Sequence, residues 1–484
     1  MADIRKFPQR KKGGERSMVA NLECFDEGGK FVPAWAGDLL TRECRIVLGH
    51  DRRLWRYVDG VYRPDGDDWA RARLKTLVGE RFRRNQLEEV SVFLRAQLPT
   101  LGHTPVTEVI NCQNGLLDWA TGTLKPHSAA VLTTNQIPMR WDPNATAPTI
   151  ARFLADVFPS DAIGLIEELV GYAMYAGNPF RKAAMLLGTG ANGKSTFLRL
   201  LTALLGEANV SSVPLQALSE NRFAAADVYG KLANICGDLD ARAIQRTDCF
   251  KQITGGDPIM AERKFRDAFS FVAYALPLFS ANEPPRTADQ TNAWFDRWII
   301  LPMERRFAGA DEDTSLPEKL ATELEGLLVL AVRGLQRLMA RRRFEFPPSV
   351  ERARARYRQM LDTVRAFVSE RCHLAAAAWA DRADLYESYR DWCQRGGRFS
   401  LASHTFNAHL VQAYPMVGPR KRQGRPGWLG LAMGPDPLAG DEGDEGDDFS
   451  TSSYRHARGE LGKVEIASPS SPSSPRGREP GEEG

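Results

Sequence analysis

Hydrophobic and polar positions along this 484-residue chain switch between strand-like and helix-like periods, which is typical of an α/β protein. Residues 54–62 alternate around a turn, and residues 111–125 place Asn-Gly and Thr-Gly between short apolar runs, so both segments predict β-hairpins. Apolar residues recur at helical intervals over 148–176. Three compact apolar runs predict buried strands, at 183–187, 232–237 and 273–280.

The C-terminal half reads mostly as helix. Four helices are predicted, at 316–339, 349–372, 382–395 and 403–413. Residues 419–430 form a basic turn between short strands, which completes the pattern of a winged helix with a basic wing.

These patterns divide the chain into six regions. They are a disordered basic arm (1–19), an N-terminal α/β domain (20–147), an α/β nucleotide-binding domain (148–310), a helical extension (311–363), a winged helix (364–435) and a disordered acidic, Ser/Pro-rich tail (436–484). The tail holds five Lys/Arg against twelve Asp/Glu, a net charge of −7, so the remainder carries +10 within a total of +3. A basic body is compatible with a nucleic-acid partner.

The composition also indicates where in the cell the protein is expected to be. No apolar run approaches the ~18 residues that a transmembrane helix needs, and the polar N-terminus lacks the apolar core of a secretory signal. The seven cysteines are scattered without a C-x-x-C pair, which favours reduced thiols and argues against a zinc site. We therefore expect a cytoplasmic protein with no membrane partner.

Residues 188–195, GTGANGKS, match the phosphate-binding pattern G-x-x-x-x-G-K-[ST] between a predicted strand and a predicted helix. Glycines let the backbone approach phosphate closely, and N–H groups at the helix start can point at one anion. Lys194 is expected to neutralise β/γ-phosphate charge, and the Ser195 hydroxyl to bind Mg²⁺. A chance glycine turn is the alternative. The expected nucleotide contacts are Gly188, Thr189, Gly190, Ala191, Asn192, Gly193, Lys194, Ser195 and Thr196.

Two further strand ends carry polar residues that an ATPase could use. Asp238 is the first choice for the acid that holds Mg²⁺ and polarises water, and Asp240 is the second; a strand followed by an acidic turn is the alternative. Asn282 fits a sensor that orients the lytic water beside the γ-phosphate. An Asn that caps a Pro-rich turn is the alternative for that position.

Other basic residues are candidates for contacts with a neighbouring subunit or with DNA. Arg297, between aromatic residues, is a candidate finger for the γ-phosphate of a neighbouring subunit. A structural salt bridge is the alternative, and Arg305 and Arg306 are competitors. Arg263 and Lys264 fall at the tip of a predicted hairpin, where basic residues can grip a phosphate backbone, unless the tip is merely solvated.

Together these pieces resemble the superfamily 3 helicases of the phage/plasmid primase–helicase family. Residues 109–127 and 364–433 are similar to the segment before the ATPase and to the C-terminal winged helix of that family. Five segments carry the resemblance in the family's order: GTGANGKS (188–195), GKLANICGDLD (230–240), FKQITGGDPIMAERKF (250–265), PLFSANEPP (277–285) and WFDRW (294–298).

The resemblance implies an AAA-like P-loop ATPase that assembles as a ring, usually a hexamer, around single-stranded DNA, with ATP between subunits. It also implies a hairpin that moves DNA as the nucleotide state changes. By motif match the implied residues are Lys194, Asp238, Asn282 and Arg297 in catalysis, Ser195 and Asp238 at Mg²⁺, and Arg263 and Lys264 at DNA.

The sequence departs from the family in two ways. Gly237 precedes Asp238, where relatives often carry two adjacent acids, which leaves the part played by Asp240 open. No acidic triad or zinc module precedes residue 111, so primase activity would come from a separate partner.

The expected function is an ATP-dependent DNA helicase that translocates on single-stranded DNA during replication of a phage, plasmid or prophage in a bacterial cell. The main alternative is a nucleotide-switched DNA-binding initiator or regulator without unwinding activity. A nucleotide or small-molecule kinase and a structural protein with a degenerate nucleotide site are weaker alternatives.

Overall fold

The computed structural model describes residues 22–102, 105–239, 244, 246–264, 267–287, 289, 291–307 and 313–434. The predicted arm and tail and Asp240 lie outside these residues. Within them the chain is a mixed α/β protein with a parallel sheet and covering helices. No helix in the described ranges combines the length and the apolar character needed to cross a bilayer.

The N-terminal region packs three helices beside a small antiparallel sheet. Its elements are α1 (Pro33–Glu43), β1 (Ile46–Leu48), β2 (Leu54–Val58), β3 (Val61–Arg63), α2 (Gly66–Val78) and α3 (Arg84–Gln97). The hairpin predicted over 54–62 is confirmed, because β2 and β3 pair across a turn at Asp59 and Gly60. Both turn residues have positive φ, 50° and 87°, which suits the two-residue turns that match strand twist.

A three-stranded antiparallel meander follows. It consists of β4 (Val109–Cys112), β5 (Gly115–Asp118) and β6 (Thr123–Lys125), and it confirms the hairpin signal read at 111–125. The buried Asn111 amide donates to the Gly60 carbonyl and to Thr133 Oγ1, both at 2.8 Å. These bonds tie the meander to the first hairpin.

The central region holds the parallel sheet. Its elements are α4 (Pro148–Val157), α5 (Ile163–Met174), β7 (Ala183–Leu187), α6 (Lys194–Leu205), β8 (Val210–Ser211), α7 (Leu215–Glu220), α8 (Arg222–Ala225), β9 (Ala233–Cys236), α9 (Asp248–Gly255), β10 (Pro258–Ala261), β11 (Phe269–Val272), β12 (Leu276–Ala281), α10 (Asn292–Phe295) and β13 (Trp298–Pro302). Five of these strands pair in parallel in the order β13-β7-β12-β9-β8, and β10 and β11 form a separate antiparallel hairpin.

Both faces of the parallel sheet are buried, which explains why its strands read as continuous apolar runs. Along β7, Ala184 and Leu186 belong to one hydrophobic core, whereas Ala183 and Met185 belong to a second core on the opposite face. The strands predicted from the three apolar runs are therefore confirmed, although β12 begins at Leu276 rather than at residue 273.

Helix α9 ends at a pair of glycines. It continues to Gly255, and Gly256 follows with a φ of 78°. The buried Thr254 hydroxyl donates to the Phe250 carbonyl at 2.8 Å, a side-chain bond to the residue four positions earlier.

The C-terminal region contains α11 (Leu316–Ala321), α12 (Leu324–Arg341), α13 (Pro348–Leu361), α14 (Thr363–Arg371), β14 (Cys372–Asp381), α15 (Arg382–Arg395), α16 (Ser403–Ala413), β15 (Gly418–Arg422) and β16 (Arg425–Met433). The helices predicted at 382–395 and 403–413 are confirmed. The segment 349–372 is two helices, because the Asp362 side chain accepts the Arg365 N–H at 3.0 Å and caps a new start.

Close contact between α5 and α12 fixes the helix that leads into the central sheet. A Cβ atom on Gly171 would collide with the Ala331 carbonyl, and one on Gly334 would collide with the Glu167 carbonyl. Arg341 pairs at 2.5 Å with Glu168, whose side chain is 6% exposed. Glycine thus allows these two helices to approach closely despite its weak helix propensity.

From α14 onward the element order is helix, strand, helix, helix, strand, strand, and the strands form the antiparallel sheet β14-β16-β15. Aromatic side chains fill the core of this region, with the rings of Tyr389 and Phe406 centred 4.4 Å apart and Phe367 edge-on to Tyr389.

Candidate functional site

The glycine-rich loop joins the buried strand β7 to helix α6, and its backbone turns sharply. Gly190, Ala191 and Gly193 have positive φ, of 102°, 48° and 84°. A Cβ atom on Gly188 would overlap the Asn192 amide and the Met303 carbonyl. The loop therefore needs glycine at its first position for space and at Gly193 for conformation.

Asn192 anchors the loop from inside. Its side chain is 3% exposed, and its amide donates to the Met303 carbonyl at 2.8 Å. Since Met303 directly follows β13, the loop is fastened to the neighbouring strand. The phosphate-binding pattern predicts that Asn192 contacts the nucleotide, but it gives no sign that the Asn192 side chain anchors the loop.

Lys194 begins α6 and folds back over the loop. Its ammonium donates to the Gly188 carbonyl, to Asn192 Oδ1 at 3.1 Å and to Asn282 Oδ1 at 3.3 Å. Burial lowers the pKa of Lys194 below that of a free lysine, and the charge of Asp238 acts in the opposite direction. The loop lysine is thus held beside both strand-end residues that the sequence singled out.

The carboxyl ends of three parallel strands bring these residues to one edge of the sheet. The loop follows β7, Asn282 follows β12, and Asp238 follows β9. The acid-bearing strand β9 does not adjoin the loop strand β7, because β12 lies between them. Asn282 therefore has the central position, between Lys194 on one side and Asp238 on the other.

Asp238 is held in an unusual backbone conformation. Its φ is 57°, and its N–H donates to Ser280 Oγ at 3.1 Å. Ser280 is 5% exposed on β12, and its carbonyl accepts the Leu239 N–H at 2.6 Å. These bonds turn the chain after β9, so that the exposed Asp238 carboxylate faces the cleft.

A cleft of about 960 Å³ opens over the loop. It is large enough for a nucleotide, since ligand pockets commonly measure about 300–1,000 Å³. Residues from five separated parts of the chain line it, namely Thr149, Arg152 and Asp156 on α4, the loop 190–196, Gly237 and Asp238 after β9, Ser280 and Asn282 at the end of β12, and Phe307, Asp313 and Lys319 beyond the sheet.

Three charged residues that line this cleft, Asp156, Asp313 and Lys319, were not singled out by the sequence motifs. Arg305 pairs with Asp156 at 2.5 Å, so this competitor for the finger role lies beside the chain's own loop. Asp313 accepts from Lys319 at 2.7 Å and from Ser315, and these bonds lower its pKa to about 2. No local motif marks these pairs, because each joins a loop to a helix.

The oxygen donors fit a hard cation. Ser195 and Asp238 are both exposed to the cleft and offer a hydroxyl and a carboxylate, which are ligand types that Mg²⁺ accepts. The described residues contain no group of three or more His, Cys, Asp or Glu that could hold a metal ion.

Arg297 lies at the opposite end of the sheet. Its carbonyl accepts the Ala183 N–H at 2.7 Å, at the start of β7, whereas the loop begins about 16 Å further along at ~3.3 Å per residue. Its Nε donates to Thr254 Oγ1 at 2.8 Å and its Nη1 to the Ala293 carbonyl. Burial, and then repulsion from Arg181, lowers the pKa of Arg297.

Arg297 is half-buried at this end of the sheet, and it is not among the residues that line the cleft. The structure therefore separates Arg297 from Lys194, Asp238 and Asn282 within one chain.

The two hairpin residues lie in different surroundings. Lys264 is exposed just after β10. The Arg263 guanidinium donates to the Ala226 carbonyl at 3.2 Å and lies 4.0 Å from Asp51, a carboxylate with 0% side-chain exposure in the N-terminal region. Arg263 is therefore engaged with protein, whereas Lys264 faces solvent.

Two family models match this chain. One, described as D5 N terminal like, covers residues 52–159, and the other, a family of unknown function called DUF5906, covers residues 186–297. The second match spans the loop, the three strand ends, the hairpin and Arg297.

Viral proteins are among the similar curated sequences. "Putative helicase L207/L206" of Acanthamoeba polyphaga mimivirus is 24% identical over 317 residues, which is 59% of this chain and 33% of that protein. "Putative helicase 121R" of Invertebrate iridescent virus 3 is 22% identical over 354 residues, 62% of this chain and 36% of that protein. The chain thus spans about a third of the length of these relatives.

Among solved structures, the C-terminal region of NrS-1 in its A form without ligand aligns with 83% of this chain and 99% of its own, at 13% identity and a TM-score of 0.49. The chain is thus similar, over about three-fifths of its length, to viral proteins named as putative helicases, and none of these matches singles out superfamily 3.

Proposed function

We propose that this chain is an ATP-dependent DNA helicase that translocates on single-stranded DNA during replication of a phage, plasmid or related element. The observation that supports it most is the convergence of the glycine-rich loop, Asp238 and Asn282 on one cleft of about 960 Å³. The viral relatives whose names describe helicases favour the same class of activity.

In this proposal the cleft binds ATP through an AAA-like P-loop core. The backbone N–H groups at the start of α6 and the Lys194 ammonium bind the phosphates. Lys194 would exchange its present bonds to Gly188 and Asn282 for phosphate oxygens, which are stronger, charged acceptors. Mg²⁺ would be held by Ser195 and Asp238, and it supplies charge neutralisation at the phosphates.

Hydrolysis requires a positioned water molecule. The Asp238 carboxylate is proposed to polarise this water, and the Asn282 amide to orient it near the γ-phosphate. The central position of β12 puts Asn282 between Lys194 and Asp238, where a sensor of the γ-phosphate would be needed.

Arg297 is proposed to act on a neighbouring copy. It lies about 16 Å along β7 from its own loop, so a contact with ATP needs a second subunit. A head-to-tail ring, of six copies as the family resemblance implies, would supply that contact at every interface. Single-stranded DNA would pass Lys264 on the β10–β11 hairpin, and a separate primase would supply primers.

The deciding experiment measures ATP hydrolysis with and without single-stranded DNA, alongside particle size in the presence of ATP. We expect DNA-stimulated turnover by a ring-sized assembly, and loss of turnover by at least about 10²-fold in Lys194→Ala because phosphate charge is no longer neutralised. Lys125→Ala, which removes an exposed lysine on β6, is the matched control. Turnover at the wild-type rate in Lys194→Ala would refute the proposal.

A second candidate is a nucleotide-switched initiator that binds duplex DNA without unwinding it. The C-terminal element order, helix–strand–helix–helix–strand–strand, favours it, because we infer a winged helix there. Strand separation on a forked substrate distinguishes the two: the helicase unwinds it in an ATP-dependent way, whereas the initiator leaves it paired.

A further inference from the structure

The C-terminal hairpin, residues 418–433, concentrates positive charge at its turn. β15 and β16 pair antiparallel and are joined by Gln423 and Gly424, with φ of 50° and 80°. Such a two-residue turn holds the strand ends in a narrow ribbon. The exposed cations of this ribbon are Arg420, Lys421, Arg422 and Arg425.

Two of these cations oppose each other directly. Arg422 pairs with Arg425 across the strands, which places their Cβ atoms about 4.5–5.5 Å apart. Like charges in this relation destabilise a hairpin. Repulsion between Arg422 and Arg425 therefore destabilises the hairpin in the free protein, and a bound polyanion would remove this repulsion.

No carboxylate of the described residues forms an ion pair with these cations. The sequence has no Asp or Glu anywhere in 396–435. Among the described ranges, no ion pair involves any of the four hairpin cations, whereas exposed arginines elsewhere, such as Arg71 and Arg84, pair with acids on their own helices. Within the part of the chain that the structure describes, the hairpin thus presents four exposed cations that lack an ion-pair partner.

The aromatic content of the hairpin argues against stacking of single-stranded bases on it. The hairpin has one aromatic residue, Trp428, which is 2% exposed beneath the Arg382 guanidinium. A platform for stacking single-stranded bases is therefore absent from the described surface of this hairpin.

We propose that the C-terminal hairpin is a second nucleic-acid site, which binds the phosphate backbone of double-stranded DNA independently of its sequence. A two-stranded ribbon fits the major groove, which is about 12 Å wide, and duplex DNA offers about one negative charge per 1.7 Å of axis. Phosphate contacts position a protein without reading the bases. This site extends the proposed function, which concerns single-stranded DNA, and it does not depend on ATP.

The test uses the full chain without nucleotide and measures its affinity for two short duplexes of unrelated sequence and for one of their single strands, over a range of salt. For Arg422→Ala/Arg425→Ala we expect duplex affinity to fall about tenfold or more and the slope of log K against log salt to drop by about 1.8, at ~0.9 per phosphate contact. The matched control, Arg71→Ala/Arg84→Ala, removes two exposed, ion-paired arginines and should leave both values unchanged.

Three results would overturn the proposal: equal duplex affinity in the hairpin and control variants, a loss confined to one of the two duplexes, or an equal loss for single-stranded DNA. The unfolding midpoint of the hairpin variant should stay level or rise, because like-charge repulsion is removed. A second measurement needs no substitution. Bound duplex should protect the Lys421 amine from acetylation while Lys125 stays reactive, and an unprotected Lys421 would also reject the site.

Discussion

At the scale of single residues, free space around the backbone matters as much as side-chain chemistry. Gly188 shows this, because the position it occupies is bounded by the Asn192 amide and the Met303 carbonyl, and a Cβ atom would overlap both. The phosphate-binding pattern requires glycine there, and the structure supplies a steric reason. Any side chain at this position would displace the Asn192 amide from the Met303 carbonyl, which follows β13 and anchors the loop.

We therefore predict that Gly188→Ala lowers the free energy of unfolding by about 1–3 kcal/mol, the usual cost of forcing an atom into packed space, and weakens ATP binding. Gly164→Ala is the control, since a Cβ atom there has nothing within 4 Å and the position is helical. It should change stability by no more than about 1 kcal/mol, in the stabilising direction. Denaturant unfolding and a fluorescent ATP analogue give the two readouts, and wild-type nucleotide affinity in Gly188→Ala would contradict the steric reading.

At the scale of elements, the β10–β11 hairpin is fastened to the N-terminal region. Arg263 reaches toward the buried Asp51 and bonds the Ala226 carbonyl, and the Tyr229 ring packs edge-on against Phe269 and Phe271 of β11. Tyr229 also accepts the His50 N–H at 3.3 Å. The β10–β11 hairpin, which is expected to bind DNA, thus contacts the N-terminal region directly through Arg263 and indirectly through Tyr229.

This arrangement predicts different effects for two adjacent residues. Arg263→Met should lower the free energy of unfolding by about 1–3 kcal/mol, because it removes charge-assisted contacts to Asp51 and Ala226. Arg52→Met, which removes an exposed arginine 3.8 Å from Asp267, should cost less than about 1 kcal/mol. Lys264→Ala should leave stability unchanged and lose DNA-stimulated unwinding.

Unfolding curves for the three variants, together with strand separation for Lys264→Ala, check these expectations. Equal stability of Arg263→Met and the native chain would show that the hairpin is not fastened in this way. Undiminished unwinding by Lys264→Ala would remove that lysine from the proposed DNA path.

At the scale of the whole molecule, the residues that we propose for ATP hydrolysis are divided between the two ends of the parallel sheet. Lys194, Asp238 and Asn282 share a cleft at one end of the parallel sheet, and Arg297 lies at the other end. If copies assemble head to tail with these two ends in contact, each site would combine residues from two copies.

Mixing two inactive variants tests this directly. If Lys194→Ala and Arg297→Ala chains co-assemble at random in equal amounts, about a quarter of interfaces combine an intact lysine with an intact arginine, and ATP turnover should return in proportion. Lys194→Ala mixed with Asp238→Asn is the control, because both residues belong to the same side of the interface and no mixture restores a complete site. Recovery in neither mixture would place Arg297 outside the reaction.

Much of the local structure could be predicted from the sequence. The strand at 183–187, the helices at 382–395 and 403–413 and the hairpin at 54–62 follow from short-range periodicity and turn chemistry, and the structure has each of them. The boundary errors occur where a side chain intervenes, as at Asp362, whose cap splits one predicted helix into two.

The sequence by itself determined which residues could serve a nucleotide, because a strand, a glycine-rich loop and a helix lie within about twenty-five consecutive residues and their geometry is local. Only the tertiary structure decided their arrangement. The insertion of β12 between β7 and β9, the engagement of Arg263 by Asp51 and the distance of Arg297 from the loop all depend on contacts between residues far apart in the chain. Strand order and docking are set by burial of whole faces, which no short stretch of sequence encodes.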